Sequence, residues 1–275
     1  MSTLAMKKSE KMKGHVNSSG FPLQIGIKRK VDATTDQHGW KTLYTEHAWT
    51  NKYSGESGFI DLVLSNQAGT IFFNVECKRV LDTSWIFLTE KAGNQNRRHA
   101  KCFVFSQSGN SIKWFEWADL TLDPSTPESQ FCVIPGTGNN KRTLIERSAA
   151  ELVSSTEGLA AEQKSITRPS GETLCIYFNV IVTTAKLNLC LFDSANIDLK
   201  DGSVSDPDFK EIPYIRFRKQ LKEVPPNLEK YSDPYGINLE RIKESTVFVV
   251  NAENLISFLE EFEVDNSYTN NKYFR

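Results

Sequence analysis

Two neighbouring apolar runs joined by a short polar turn constrain the fold of this chain more than any other feature. The runs span residues 58–64 and 70–78, and the five residues between them have the composition of a hairpin turn. Side chains alternate along a strand, so Glu76 and Lys78 share one face of the second run. A closed hairpin brings Asp61 of the first run beside Glu76. The sequence therefore predicts two carboxylates and an ammonium at the polar end of a hydrophobic hairpin.

This charged group is costly at the end of an apolar hairpin unless a bound ion compensates for it. A hydrated magnesium ion on a phosphodiester would provide that compensation. A second interpretation stays open, in which Lys78 simply pairs with Glu76 or Asp61 on a solvated strand edge. An acid-x-Lys triplet alone decides little, because the chain contains three others, at residues 162–164, 198–200 and 208–210. Only the triplet of Glu76 and Lys78 follows an apolar strand and has an aspartate one hairpin upstream.

The arrangement resembles the PD-(D/E)xK nuclease superfamily, which has the restriction-endonuclease-like fold. Asp61, Glu76 and Lys78 match its three motif residues, and the resemblance covers roughly residues 36–106. The residue before Asp61 is Ile60, where the family motif has proline. The resemblance implies a metal-dependent nuclease that hydrolyses phosphodiester bonds, most simply in DNA, with a role in restriction, defence or repair.

The resemblance also implies roles for individual residues. Asp61, Glu76 and the backbone carbonyl of Cys77 would bind Mg²⁺ or Mn²⁺, and Lys78 would help to activate the attacking water. Some members add a glutamate from a preceding helix, and Glu46 is the candidate for this residue and for a second metal. Residues 36–50 are expected to form that helix, because their apolar side chains recur at helical spacing.

The order of elements predicts an α/β fold with a mixed central β-sheet flanked by helices. In this scheme a restriction-endonuclease-like core carries an insertion near residues 80–135 and a C-terminal extension. Residues 1–30 are expected to be a basic, partly disordered leader, residues 31–190 the nuclease-like core, and residues 191–275 an extension packed on the same domain. Within the core, a long helix is expected near residues 143–164 and a buried strand near residues 173–184.

The net charge of −1 excludes a globally basic nucleic-acid coat, so contacts with phosphates must come from local patches. Besides the basic leader, two further patches are candidates for nucleic-acid contact, and the first is equally well explained as an exposed loop. The first patch comprises Gln95, Arg97 and Arg98, whereas the second comprises Lys141 and Arg142, which could grip a phosphate at the start of a helix.

The cysteine content and the lengths of the apolar runs indicate where the protein is located. Five scattered cysteines without a Cys-x-x-Cys motif are typical of free thiols in the cytoplasm, and no apolar run is long enough for a membrane helix. We expect a cytoplasmic protein with no membrane partner. A non-catalytic nucleic-acid-binding or assembly subunit that keeps the nuclease fold is the alternative function. A homodimer, or a partner ATPase, helicase or methyltransferase subunit, fits either function.

Overall fold

The computed structural model describes residues 3–52, 54–92, 96–136, 142–166, 171–221 and 244–265, with side chains from residue 8 onward. The described helices are α1 (Thr3–Ser18), α2 (Phe21–Ala33), α3 (Thr35–His38), α4 (Leu144–Ile166) and α5 (Leu255–Glu261). The described strands are β1 (Trp40–Thr50), β2 (Ser57–Asn66), β3 (Ile71–Lys78), β4 (Ser84–Glu90), β5 (Asn96–Ser108), β6 (Ser111–Ser129), β7 (Phe131–Val133), β8 (Glu172–Thr183), β9 (Lys186–Phe192), β10 (Ile197–Asp198), β11 (Ser203–Val204), β12 (Asp208–Glu211), β13 (Tyr214–Gln220), β14 (Glu244–Asn251) and β15 (Glu263–Val264).

An antiparallel meander of β1, β2 and β3 forms one wing of the main sheet. The β2–β3 pairing runs from Ser65 opposite Phe72 to Leu62 opposite Val75, which confirms the hairpin expected from the two apolar runs. On its other edge β3 pairs in parallel with β8. The near-continuous apolar sequence of β8 fits this central place, because both of its faces are covered.

Five strands of the same sheet close into a barrel. Beyond its edge with β3, strand β8 offers a second edge that β5 occupies along the first half and β14 along the second half. The circuit then runs from β5 to β6, from β6 to β13, and from β13 back to β14. The barrel is therefore built mainly from segments that follow the hairpin in sequence.

The predicted helix-flanked central sheet of restriction-endonuclease type is wrong. Strands hold more of the described chain than helices do, and the sheet closes on itself instead of remaining open. The reason lies in the segments treated as an insertion and an extension, which pair with β8 and with each other instead of decorating an independent core. Residues 123–129 form the last part of the long strand β6 although they contain two prolines.

The helix predicted over residues 36–50 is also wrong. Only α3 is helical there, and it ends at His38, followed by the C-cap Gly39, whose φ of 74° lies in the left-handed region. Strand β1 follows immediately and pairs antiparallel with β2. Its threonines and aromatic residues favour a pleated strand. Of the apolar positions that suggested helical spacing, Trp40 stacks on Phe73 of β3 and Leu43 is exposed.

Helices α2 and α4 cover opposite faces of the β1–β3 wing. Ile27 and Val31 of α2 pack into the core cluster that contains Leu62 and Val75. On the other face, Leu159 of α4 packs with Val63 and Phe72. The long helix and the central strand predicted near residues 143–164 and 173–184 are confirmed as α4 and β8. A smaller sheet of β12, β9, β4 and β7 packs against the first half of α4.

Candidate functional site

The site begins where β2 and β3 separate. The last paired residues of the two strands are Leu62 and Val75, so the next backbone N–H of β3 that faces β2 lacks a ladder partner. Asp61 takes that place, since its Oδ2 accepts a hydrogen bond from the Cys77 N–H at 2.7 Å. The aspartate is thereby fixed at the fork between the strands.

Glu76 and Lys78 stand beside Asp61 on one face of β3. Their side chains are 15% and 25% exposed, and the Lys78 ammonium donates a hydrogen bond to Glu76 Oε1. The backbone alternates as the sequence predicts, so the intervening Cys77 points the other way and is buried in the core. The structure thus brings together Asp61, Glu76 and Lys78, the three residues that match the nuclease motif.

Burial and like charge both act on the two carboxylates. Burial raises the pKa of Asp61, although the Cys77 N–H and Lys78 oppose the change. Burial, followed by repulsion from Asp61, raises the pKa of Glu76 to about 7, again against the pull of Lys78. Half-buried acids that hinder each other's ionisation are a feature of functional sites, and a nearby cation would relieve the conflict.

Glu46 reaches the site from β1 rather than from a helix. It lies between the register pairs Thr45–Leu62 and His47–Ile60, which places it across from Asp61. Its backbone has a φ of 48°, a left-handed conformation that is costly for a glutamate. The negative charge of Glu46 contributes to the raised pKa of Asp61.

Gln24 of α2 holds Glu46 in position. Its side-chain amide, 7% exposed, donates to Glu46 Oε1 at 2.6 Å and to the backbone carbonyl of Asp61 at 2.8 Å. This single side chain therefore connects α2 to β1 and to β2. The sequence analysis did not identify Gln24. The residue pattern of an N-terminal helix does not show which later strand that helix packs against.

A further acid, Glu151, approaches from α4. Asn74 of β3 donates hydrogen bonds to the Leu152 carbonyl at 3.2 Å and to Ser155 Oγ at 2.7 Å, which holds this part of α4 over β3. The charge of Glu151 adds to the raised pKa of both Asp61 and Glu76. Glu151 was also missed, since only the packing of α4 brings it within reach of the hairpin.

The donor set fits a hydrated divalent cation with few protein ligands. Asp61 Oδ1 and Glu76 Oε2 accept no hydrogen bond from the residues that the structure describes, so one oxygen of each acid is available. Within those same residues, no three His, Cys, Asp or Glu side chains converge as a metal-binding group. Mg²⁺ needs only one or two carboxylates because it keeps several waters and takes oxygens from a substrate phosphate.

The other predicted contact residues do not join this cluster through any contact in the described chain. Arg97 and Arg98 lie on β5, where Arg98 makes a two-pronged pair with Asp123 at 3.0 and 2.7 Å and Arg97 lies 3.9 Å from Glu128. Arg142 is exposed just before α4. Gln95 and Lys141 lie outside the described residues.

Comparison with protein-family models, with curated proteins and with solved structures yields no match. The family resemblance therefore rests on the motif residues alone. None of the described helices combines the length and apolarity that crossing a membrane requires.

Proposed function

We propose that the protein is a metal-dependent nuclease that hydrolyses phosphodiester bonds in DNA. The observation that supports this function is the meeting of Asp61, Glu76 and Lys78 in one half-buried site at the fork between β2 and β3. Two acids with an available oxygen each can bind a hydrated cation, and the adjacent ammonium suits a reaction that builds up negative charge.

Each residue has a distinct part in the proposed reaction. A bound Mg²⁺ or Mn²⁺ would supply Lewis-acid polarisation of the scissile phosphate and a lower pKa for an attacking water. Asp61, locked by the Cys77 N–H, presents its other oxygen in a fixed place. Glu76 contributes the second carboxylate, and it must be ionised to do so. The Cys77 carbonyl remains a predicted third ligand.

Lys78 is proposed to contact the reacting water and the phosphate. Its ammonium is one quarter exposed and already balances the charge of Glu76. In the proposed reaction it orients the water through a hydrogen bond and offsets negative charge on the phosphate as the new bond forms. Glu46 and Glu151, which surround the same site, are candidates for holding a second cation or ordered waters.

The function is tested by incubating the purified protein with supercoiled plasmid, single-stranded DNA and RNA in Mg²⁺ or Mn²⁺. We expect cleavage of the DNA that chelation by EDTA abolishes and added Mn²⁺ restores. Glu76→Gln and Lys78→Met should each lower the rate at least about a hundredfold, as for removal of a metal ligand or a charge-stabilising group.

A matched control comes from another acid-x-Lys triplet of the chain. Asp198 and the exposed Lys200 lie in the segment of β10 and the turn after it, with no contact to the β2–β3 fork in the described chain. Asp198→Asn and Lys200→Met should cleave as the wild type does. Cleavage that survives EDTA, or full activity of Glu76→Gln, would refute the proposal. Binding of DNA without any cleavage would favour the alternative of a non-catalytic nucleic-acid-binding subunit.

A further inference from the structure

Positive charge is segregated at the start of the chain. Residues 1–31 carry seven Lys and Arg and a single acid, a net charge of +6, whereas the rest of the chain carries 26 Lys and Arg against 33 acids, a net charge of −7. An acidic body repels a polyanion, so a nucleic-acid substrate has to be held by a local region of opposite sign. The first 31 residues are the region of the chain with that charge.

Helix α1 presents this charge to solvent. Every residue from 8 to 18 is exposed, including the apolar Met12 and Val16, which are 58% and 59% exposed. Lys8, Lys11 and His15 follow one another at helical spacing and share a face. An isolated helix of 16 residues is only marginally stable in water, so this helix would gain stability from a partner along its surface.

The same segment is anchored at the candidate site. Helix α2 begins at Phe21, three residues after the end of α1, and exposes Arg29 and Lys30. In its first turn, Gln24 donates hydrogen bonds to Glu46 and to the Asp61 carbonyl. The positive region is therefore joined to the candidate site through Gln24, and α1 directly precedes this anchor in the chain.

We propose that α1 and α2 form a basic arm that binds the phosphodiester backbone of duplex DNA and leads it to the site of Asp61, Glu76 and Lys78. The part of this inference that leads the DNA to the site rests on the proposed nuclease function. Binding of DNA by the arm does not depend on cleavage. Pairing of the arms of two copies is disfavoured, because two segments of net charge +6 repel each other, and docking of the arm on the acidic body of a second copy is an outcome that the test detects. Contacts to phosphates carry no sequence information, so the arm supplies affinity rather than specificity.

The experiment measures binding of a fluorescently labelled duplex in EDTA, so that no cleavage occurs, across a series of salt concentrations. The test variant carries Lys8→Gln, Lys11→Gln and Lys13→Gln. Each phosphate contact contributes about 0.9 to the slope of log affinity against log salt, so we expect the slope to fall by about 2 to 3 and the affinity at low salt at least about tenfold. Thermal unfolding should be unchanged, because α1 buries none of its described side chains.

The matched control removes three exposed lysines from the small sheet and the segment near it, with Lys186→Gln, Lys200→Gln and Lys210→Gln. It should bind with the wild-type slope. Three results would refute the proposed DNA-binding role of the arm. They are failure of the wild type to bind duplex DNA, an unchanged salt slope in the α1 variant, and an equal loss of affinity in the control. A concentration-dependent dimer that the α1 variant loses would also refute that role, since the helix would then serve self-association.

The outcomes separate the arm from the nuclease activity. Salt-dependent binding through α1 without cleavage in Mg²⁺ would support the arm and refute the nuclease. Cleavage by the α1 variant with the wild-type KM on a long duplex would support the nuclease and refute the arm.

Discussion

Asp61 Oδ2 accepts the hydrogen bond of the Cys77 backbone N–H at 2.7 Å, at the point where β2 leaves β3. A carboxylate thus replaces a strand as the partner of a half-buried amide. The contact places the charge of Asp61 beside Glu76, and it also satisfies a backbone donor that would otherwise be costly to bury. Asp61 therefore has a structural role and a proposed chemical role that mutation can separate.

Asp61→Asn and Asp61→Ala are expected to differ in stability and to agree in activity. An asparagine oxygen can still accept the Cys77 N–H, whereas alanine leaves that donor unpaired at a cost of about 1–2 kcal/mol. Both changes remove the proposed metal ligand, so both should lower DNA cleavage at least about a hundredfold. Denaturant unfolding and cleavage rates measure the two effects. Equal stability of the two variants would show that the hydrogen bond contributes little.

Glu76 should make the protein less stable as the pH rises toward and past neutrality. Its pKa is about 7 in the folded chain and 4.5 ordinarily, so the folded state holds the proton more tightly than the unfolded state does. The resulting contribution to stability is complete below pH 4.5 and is lost as the pH rises through about 7. The size implied by this shift is about 3 kcal/mol.

The measurement for Glu76 is the free energy of unfolding of wild type and Glu76→Gln at pH 5 and pH 8 without metal. Relative to the wild type, the variant should become more stable at the higher pH. Glu263→Gln, at an exposed position on β15, is the control and should show no such trend. A difference between wild type and Glu76→Gln that does not change with pH would contradict the raised pKa.

Gln24→Ala should weaken both the fold and the activity. The change removes hydrogen bonds to Glu46 and to the Asp61 carbonyl, which together are worth about 1–2 kcal/mol. Releasing Glu46 should lower kcat about tenfold with little effect on KM, since the change loosens the site without touching the substrate. Gln37→Ala, at an exposed position of α3, is the matched control.

Gln24→Glu distinguishes positioning from simple packing. A carboxylate in place of the amide would face Glu46, so the variant should lose more stability at pH 8 than at pH 5. A variant as stable and active as the wild type at both pH values would exclude a role for Gln24 in holding Glu46.

Arg216→Met is expected to change stability by less than about 1 kcal/mol or to raise it. Arg216 is fully buried in the barrel, where it donates to Thr126 Oγ1 and lies over the Phe248 ring at 5.0 Å. Its Nε and Nη2 find no hydrogen-bond partner in the described chain, and burial lowers its pKa to about 10. Replacing such a charge with an apolar side chain of similar length is often neutral or favourable.

The free energy of unfolding of Arg216→Met, measured with denaturant, checks this expectation. Phe217→Ala is the comparison, because it opens a cavity at a fully buried neighbour and should lower that free energy by about 3–5 kcal/mol. A loss in Arg216→Met as large as in Phe217→Ala would mean that the guanidinium has an ionic role in the barrel.

The local part of the site could be predicted from the sequence because it depends on strand periodicity. Apolar runs with a polar turn between them specify a hairpin, and the period of two puts Glu76 and Lys78 on one face with Cys77 on the other. Glu46 was predicted to reach the site from a helix, and that reason was wrong because residues 40–50 form the strand β1. Its approach depends on pairing with β2 and on an unusual backbone angle that no sequence pattern specifies.

The hairpin, the long helix α4 and the central strand β8 follow from the amino-acid sequence alone, since each depends on side-chain alternation or helical spacing within one segment. The barrel depends on long-range packing, because β5 and β14 share one edge of β8 through pairings between residues far apart in the chain. The same long-range packing brings Gln24 and Glu151 to the site. Contacts of this kind arise from packing two elements together, and short-range patterns carry no information about which elements meet.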